Sequence, residues 1–145
     1  YPTLEAISGQ NPQKQGGEDG FSLLPIFTDQ GTSKRDSLIS HSIDGSFAIR
    51  QGDWKLCLSH GSGGWSAPKE ATAKKQGLPA LQLYHLGMDV KESHNLVSKY
   101  PARARALLSL LNEHVEQGRS TPGPRLSNDR DVQVLREGWD PSLIE

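Results

Sequence analysis

Between residues 45 and 58 the large apolar side chains Phe47, Ile49, Trp54 and Leu56 are interleaved with Ala48, Arg50, Asp53, Lys55 and Cys57. Alternation of this kind is the mark of antiparallel strands that bury one face. A two-residue turn at Gln51-Gly52, with the glycine supplying positive φ, predicts a hairpin in which Arg50 faces Asp53, Ile49 faces Trp54 and Phe47 faces Leu56. All four large apolar side chains then share one face, and Arg50 and Asp53 form a cross-strand attraction beside the turn.

The same reading extends to other strands. Strands are predicted at 37–41, 47–50, 54–58 and 81–86, joined as a meander, with a long insertion over 59–79 before the last of them. From Pro101 the period changes. Ala104, Leu107, Leu108, Leu111 and Val115 recur at three- and four-residue steps, Pro101 suits a first helical turn, and Gly118 suits the residue past the end. This helix is expected to cover the sheet, and burying four such aliphatic side chains contributes about 6 to 12 kcal/mol before entropy is subtracted. Upstream, Leu4 and Ile7 lie at helical spacing, a polar, glycine-rich run covers 10–20, and Phe21 to Phe27 suits one short helical turn or an anchoring loop, limited by Pro25. Downstream, 119–145 reads as a proline-containing tail in which 132–135 adds an edge strand or lies against a partner. The expected class is α+β: about four antiparallel strands packed on one long C-terminal helix, with long loops.

Composition narrows the function. The 145 residues suit one domain with tails. With 16 basic and 17 acidic residues spread evenly, net charge −1, the chain offers no patch for nucleic acid or anionic lipid. No run of about 20 apolar residues suggests a membrane span, and no secretory signal is visible. The single cysteine, Cys57, falls in the hairpin and reads as a small buried hydrophobe rather than a reactive thiol.

Three segments in order, Ala48-Ile-Arg-Gln-Gly-Asp-Trp-Lys-Leu56, Gln82-Leu-Tyr-His-Leu86 with Asp89, Glu92, Asn95 and Leu96, and Gly118-Arg-Ser-Thr-Pro-Gly123, resemble the C-terminal subdomain of formylglycine-dependent sulfatases, the arylsulfatase A-like group. Tyr1-Pro-Thr-Leu with Gly9 looks like the end of that family's large α/β domain, and Asp19-Gly-Phe-Ser-Leu-Leu-Pro25 like its connecting segment. The chain departs from the usual pattern at Val90, where proline is common, and at His85, where aspartate is. On this resemblance, 1–33 closes the catalytic domain, 34–118 is the subdomain and 119–145 a tail. Independently of the family, Asp89, Glu92 and Asn95 are expected to bind backbone N–H groups of a turn before the helix.

The resemblance implies a Cys/Ser-x-Pro-x-Arg motif whose first residue becomes formylglycine, together with a calcium ion that gathers the sulfate oxygens. Neither is expected here. Ser66-Ala-Pro-Lys-Glu70 carries Glu70 in place of arginine, Ser120-Thr-Pro-Gly-Pro124 ends in proline, and Cys57-Leu-Ser-His-Gly61 lacks proline. No multiple-carboxylate cluster suits a hard cation. Histidines 41, 60, 85, 94 and 114 lack the spacing of zinc sites. No catalysis is expected from the chain alone; calcium and formylglycine belong to the catalytic domain. The subdomain's part is to wall a substrate pocket, with His41, Arg50 and Trp65 as candidates, because a sulfated sugar or aryl group offers hydroxyls and a flat face for hydrogen bonding or stacking. Arg50 pairing with Asp53, His41 satisfying a turn and Trp65 plugging its loop are the competing readings. The Gly61-Ser-Gly-Gly-Trp65 run reads as a flexible loop in preference to an oxyanion cradle, since no Gly-Lys-Ser/Thr follows.

Two functions follow. In the first, the chain is a fragment of a sulfuric ester hydrolase whose partners are its own N-terminal catalytic domain and a sulfated small molecule or polysaccharide. The resemblance then implies a periplasmic or secreted location, and exposed apolar surface that favours self-association through 1–27 or the tail. In the second, it is a free-standing carbohydrate-binding or interaction module. The start at Tyr1, which looks like a cut through a helix, favours the first.

Overall fold

A computed structural model describes residues 1–9, 17 and 19–135. Most of the glycine-rich run at 10–20 and the tail beyond 135 lie outside the described residues.

Four strands form one antiparallel sheet: β1 Ser37–His41, β2 Phe47–Gln51, β3 Trp54–Cys57 and β4 Gln82–His85, in spatial order β1-β2-β3-β4. The meander follows from short connections and period-two sequence. Its register differs from the expected one. Gln51 pairs with Trp54, Arg50 with Lys55, Ile49 with Leu56 and Ala48 with Cys57, so the turn residues are Gly52 and Asp53. Gly52 has φ 58 and Asp53 is not in the positive region, which is the φ pattern of a II′ turn with glycine leading. The expected Arg50 to Asp53 attraction is replaced: Arg50 Nε donates to Gly52 O at 2.8 Å. A slip of two residues leaves every side chain on its original face, so Phe47, Ile49, Trp54 and Leu56 still point together.

That face receives a helix. Pro101–Gln117 forms the long C-terminal helix, the fourth in chain order after α1 Pro2–Ser8, α2 Leu24–Phe27 and α3 Glu70–Lys75. In this α4, Ala104, Leu107, Leu108 and Leu111 are buried, and with Ile49, Leu56, Leu58, Leu81 and Leu83 they make the core. Ile49, Leu56, Leu83, Leu107 and Leu111 are fully buried, each contributing about 1.5 to 3 kcal/mol. The helix ends as its sequence demands. Gly118 takes φ 65, its N–H donates to Val115 O, and the Arg119 N–H donates to His114 O, a Schellman closure. A side chain at Gly118 would also strike Leu126 O. Buried Ser37 ties the sheet edge to α4 through a 2.8 Å contact between its Oγ and His114 Nε2.

The turn before α4 is held largely as expected. The Asp89 carboxylate accepts the His94 N–H at 2.8 Å, and backbone donors from Ser93 and His94 hold its pKa below the ordinary value. Asn95 bonds to three backbone groups. Glu92 does otherwise: it adopts φ 54 and reaches Lys55 on the sheet. The expected edge strand at 132–135 is not formed, and Val134 and Leu135 pack on the core instead. The short helices α1 and α2 touch each other yet leave Leu4 and Phe27 each 68% exposed.

Candidate functional site

The sheet face away from α4 is mostly polar, carrying Ser40, Arg50, Lys55, Cys57, Gln82 and Tyr84 beside Leu38 and Ala48 by strand alternation. At the end of the sheet nearest the β1–β2 turn this face opens into a cleft of about 210 Å³, bounded by Ser40, His41, Ser42, Lys55, Ser59, Gln82, Glu92 and the glycines 61 and 63. Lys55 Nζ lies 2.7 Å from Glu92 Oε1. Burial is the largest single influence and works against the Lys55 charge, but the interactions with Glu92 and Cys57 together outweigh it and the ammonium's pKa is raised. Burial pushes the Cys57 thiol up to about 11, so it stays protonated. Tyr84 donates to Gln82 Oε1 at 2.6 Å, and burial lifts its phenol to about 12.

One wall of the cleft is the 59–65 loop, and it is braced rather than slack. Glu70, the first residue of α3, turns its carboxylate back so that Oε2 accepts the N–H groups of His60 and Gly61, both at 3.0 Å, while Oε1 meets His60 Nδ1 at 2.8 Å. Burial alone would raise the Glu70 pKa, but the Gly61 amide and His60 hold it below the ordinary value. The backbone donors that suggested an oxyanion cradle thus grip a carboxylate of their own chain. Gln82 Nε2 donates to Ser59 O at 2.7 Å and Gly61 O at 2.9 Å, pinning the loop to β4. Lys69 Nζ donates to the carbonyls of Gly64 and Trp65. The glycines permit close approach: a Cβ at Gly61 would lie 2.6 Å from Pro68 O, one at Gly63 2.8 Å from Ser42 Oγ, and one at Gly64 2.5 Å from Ile43 Cγ2.

These contacts dock the loop on the β1–β2 turn and bring two of the three predicted residues to one end of the sheet. His41 ends β1 paired with Phe47 on the α4 side of the sheet, its ring edge-on to Phe47 at 4.0 Å, and it borders both the polar cleft and a larger cavity beside α4. Trp65 sits beyond Gly64 with 84% of its surface exposed, so it does not plug its loop. Arg50 lies three residues along β2 from Phe47, about 10 Å away at the other end. The structure therefore does not gather His41, Arg50 and Trp65 into one constellation. The sequence reading missed Lys55, Glu92 and Gln82. Lys55 and Glu92 are 37 positions apart, and only tertiary folding joins them.

A second cavity, about 380 Å³, lies between β1 and the C-terminal end of α4, lined in part by Leu38, Phe47, His114, Arg119 and Val132. Among the described residues no three His, Cys, Asp or Glu side chains converge as metal ligands do, and no helix is long and apolar enough to cross a membrane. The residues present do not suit a calcium site.

No protein-family model matches the chain. Solved structures do resemble it. One, BT33336S-sulf, from work on the metabolism of multiple glycosaminoglycans by Bacteroides thetaiotaomicron, is 23% identical with a TM-score of 0.60, over 77% of this chain and 23% of that one. BT4656, in complex with its substrate D-glucosamine-2-N,6-O-disulfate, is 21% identical with a TM-score of 0.54, over 77% and 22%. Ps i-CgsB is 19% identical with a TM-score of 0.53, over 78% and 22%. These neighbours are sulfatases, and at such identities the likeness is one of fold: the chain carries the fold of a sulfatase C-terminal subdomain. It spans less than a quarter of the length of the structures it matches.

Proposed function

We propose that this chain is the accessory lobe of a sulfuric ester hydrolase acting on sulfated carbohydrate. The observation that carries the reading is the four-stranded meander under a capped helix, superposable on part of a sulfatase over 77% of its length. In this reading a larger catalytic body holds the formylglycine nucleophile and the calcium ion, and the lobe packs against that body. The exposed apolar side chains of α1 and α2 support such a docking, since isolated domains seldom leave Leu4, Ile7 and Phe27 uncovered together. The braced 59–65 loop and the polar cleft beside it form the pocket wall, with His41 and Trp65 toward substrate; Arg50 serves the β2–β3 turn. The parent enzyme works in the periplasm or outside the cell.

The experiment is a sulfatase assay of the full-length protein over a panel of sulfated sugars, comparing wild type with His41→Ala and Trp65→Ala. A rise in KM in either variant supports the pocket wall, and unchanged kinetics in both removes it. A second reading, a free-standing carbohydrate-binding module, is favoured by one feature: Trp65 stands exposed at the end of a braced loop whose glycines 61 and 63 line a polar cleft, and an exposed indole suits an aromatic platform. Sugar binding with no hydrolysis by any longer form of the protein would select it.

A further inference from the structure

The outer edge of β1 carries no neighbouring strand among the described residues, and a groove runs beside it. We propose that this groove takes an extended, acidic segment of the longer polypeptide as a fifth strand, so that the lobe is joined to its catalytic body by backbone pairing as well as by side-chain packing. The source of the segment rests on the accessory-lobe reading above; its conformation and charge come from the groove.

The direction of the backbone groups follows from the ladder. The Ser42 N–H donates to Ser46 O at 2.9 Å, and the same register pairs Ser40 with Ala48 and Leu38 with Arg50. In an antiparallel ladder alternate residues turn their backbone groups to opposite sides, so Ser42, Ser40 and Leu38 face β2 while Ser37, Ile39 and His41 face outward. Among the described residues one of those outward groups is engaged: Ser37 O accepts from Arg35 Nη1 at 3.4 Å. The opposite edge of the sheet differs, since the Leu83 N–H and Leu83 O are both taken, by Asn95 and Leu96. A row of unpaired N–H and C=O groups is a template for an added strand.

The groove sets the side chains of that strand. Its cavity of about 380 Å³ has apolar walls from Ile39, Phe47, Val115 and Val132. A residue paired opposite Ile39 points to the same face as Ile39, toward α4, and so enters the cavity. Two arginines flank it. Arg35 donates to Asp19 O and Ser37 O, and Arg119 to the carbonyls of Thr121 and Pro124 and to the Thr121 hydroxyl, so neither has a carboxylate partner among the described residues. The one carboxylate in the lining, that of Asp19, is occupied by the Ser120 N–H and hydroxyl. The result is a positive surplus beside an apolar floor. A segment with an apolar side chain for the cavity and carboxylates next to it complements both features, whereas a basic segment is repelled.

Hydrogen exchange tests this on two proteins, the 145-residue chain and the longer polypeptide that contains it, read by mass spectrometry with residue resolution across 37–41. In the 145-residue chain the amides of Leu38 and Ser40 should exchange slowly and those of Ile39 and His41 fast. In the longer polypeptide Ile39 and His41 should slow at least about tenfold, with Leu38 and Ser40 as the control for an intact sheet. Arg35→Glu in the longer polypeptide should reverse most of that slowing, and Arg35→Lys should keep it. The proposal is overturned if Ile39 and His41 exchange alike in the two proteins, or if Arg35→Glu leaves the slowing in place. Slow exchange of both amides in the 145-residue chain also overturns it: growing with concentration it assigns the edge to a second copy, and independent of concentration to this chain itself. Exchange requires no catalysis, so a polypeptide that releases no sulfate can still show the added strand, and an unpaired edge leaves the sulfatase reading standing.

Discussion

Asn95 closes the outer edge of β4 by pairing with Leu83: its Oδ1 accepts the Leu83 N–H at 3.0 Å, and its Nδ2 donates to Leu81 O at 2.8 Å. The neighbouring Leu96 N–H donates to Leu83 O at 2.8 Å, so an amide side chain and one peptide imitate a fifth strand. An unpaired edge invites association with another chain, and this plug removes the invitation. Asn95→Ala would leave backbone groups of the buried Leu81 and Leu83 without partners. A loss of about 2 to 4 kcal/mol is expected in chemical denaturation, with Asn95→Asp little better because it cannot donate to Leu81 O.

Stability in acid should depend on Glu70. Its folded-state pKa lies below the ordinary 4.5, so its contribution is complete above that value and is lost as the pH falls through the lowered one. Asp89 shifts in the same direction, so the diagnostic quantity is the difference between wild type and Glu70→Gln. That difference should be roughly 1 to 3 kcal/mol near neutrality and should shrink as the pH falls below the ordinary 4.5. Denaturant midpoints measured across that range check it, and a constant difference would contradict it.

The core prediction is simpler. Leu107 and Leu111 are fully exposed to the sheet and closed to water. Replacing either by alanine should cost about 2 to 5 kcal/mol, measured by thermal or urea unfolding.

Cys57 should be a poor nucleophile. With its thiol pushed up to about 11, iodoacetamide labelling of the native chain at about pH 8 should be roughly 100-fold slower than that of a free thiol, and should recover in denaturant. Rapid native labelling would contradict the burial assigned to it.

Much of the fold was legible because its signals are local. The 37–41 strand matches β1, and the proline and glycine that bound α4 stand where helix ends require them. The hairpin register was not, because a glycine at 52 satisfies a turn at Gln51-Gly52 as readily as one at Gly52-Asp53; the two-residue slip preserved the faces, which is why the core was still correctly read. The α3 helix went unseen for a tertiary reason. It has six residues and buries only Ala73, and its first residue is tied to His60 and Gly61 ten and nine positions back. The same holds at the site: Trp65 and His41 could be nominated as residue types, but the Lys55 and Glu92 pair that sets the character of the cleft exists only once β3 and the turn before α4 have met.

The account's central claim is that these strands and their helix complete an enzyme that cleaves sulfate esters. The most direct measurement is sulfate release from sulfated oligosaccharides by the longer polypeptide that contains this chain, with and without residues 34–118. The account predicts release by the whole protein and its loss on deletion; no release from any sulfated sugar, or full activity after the deletion, would contradict it.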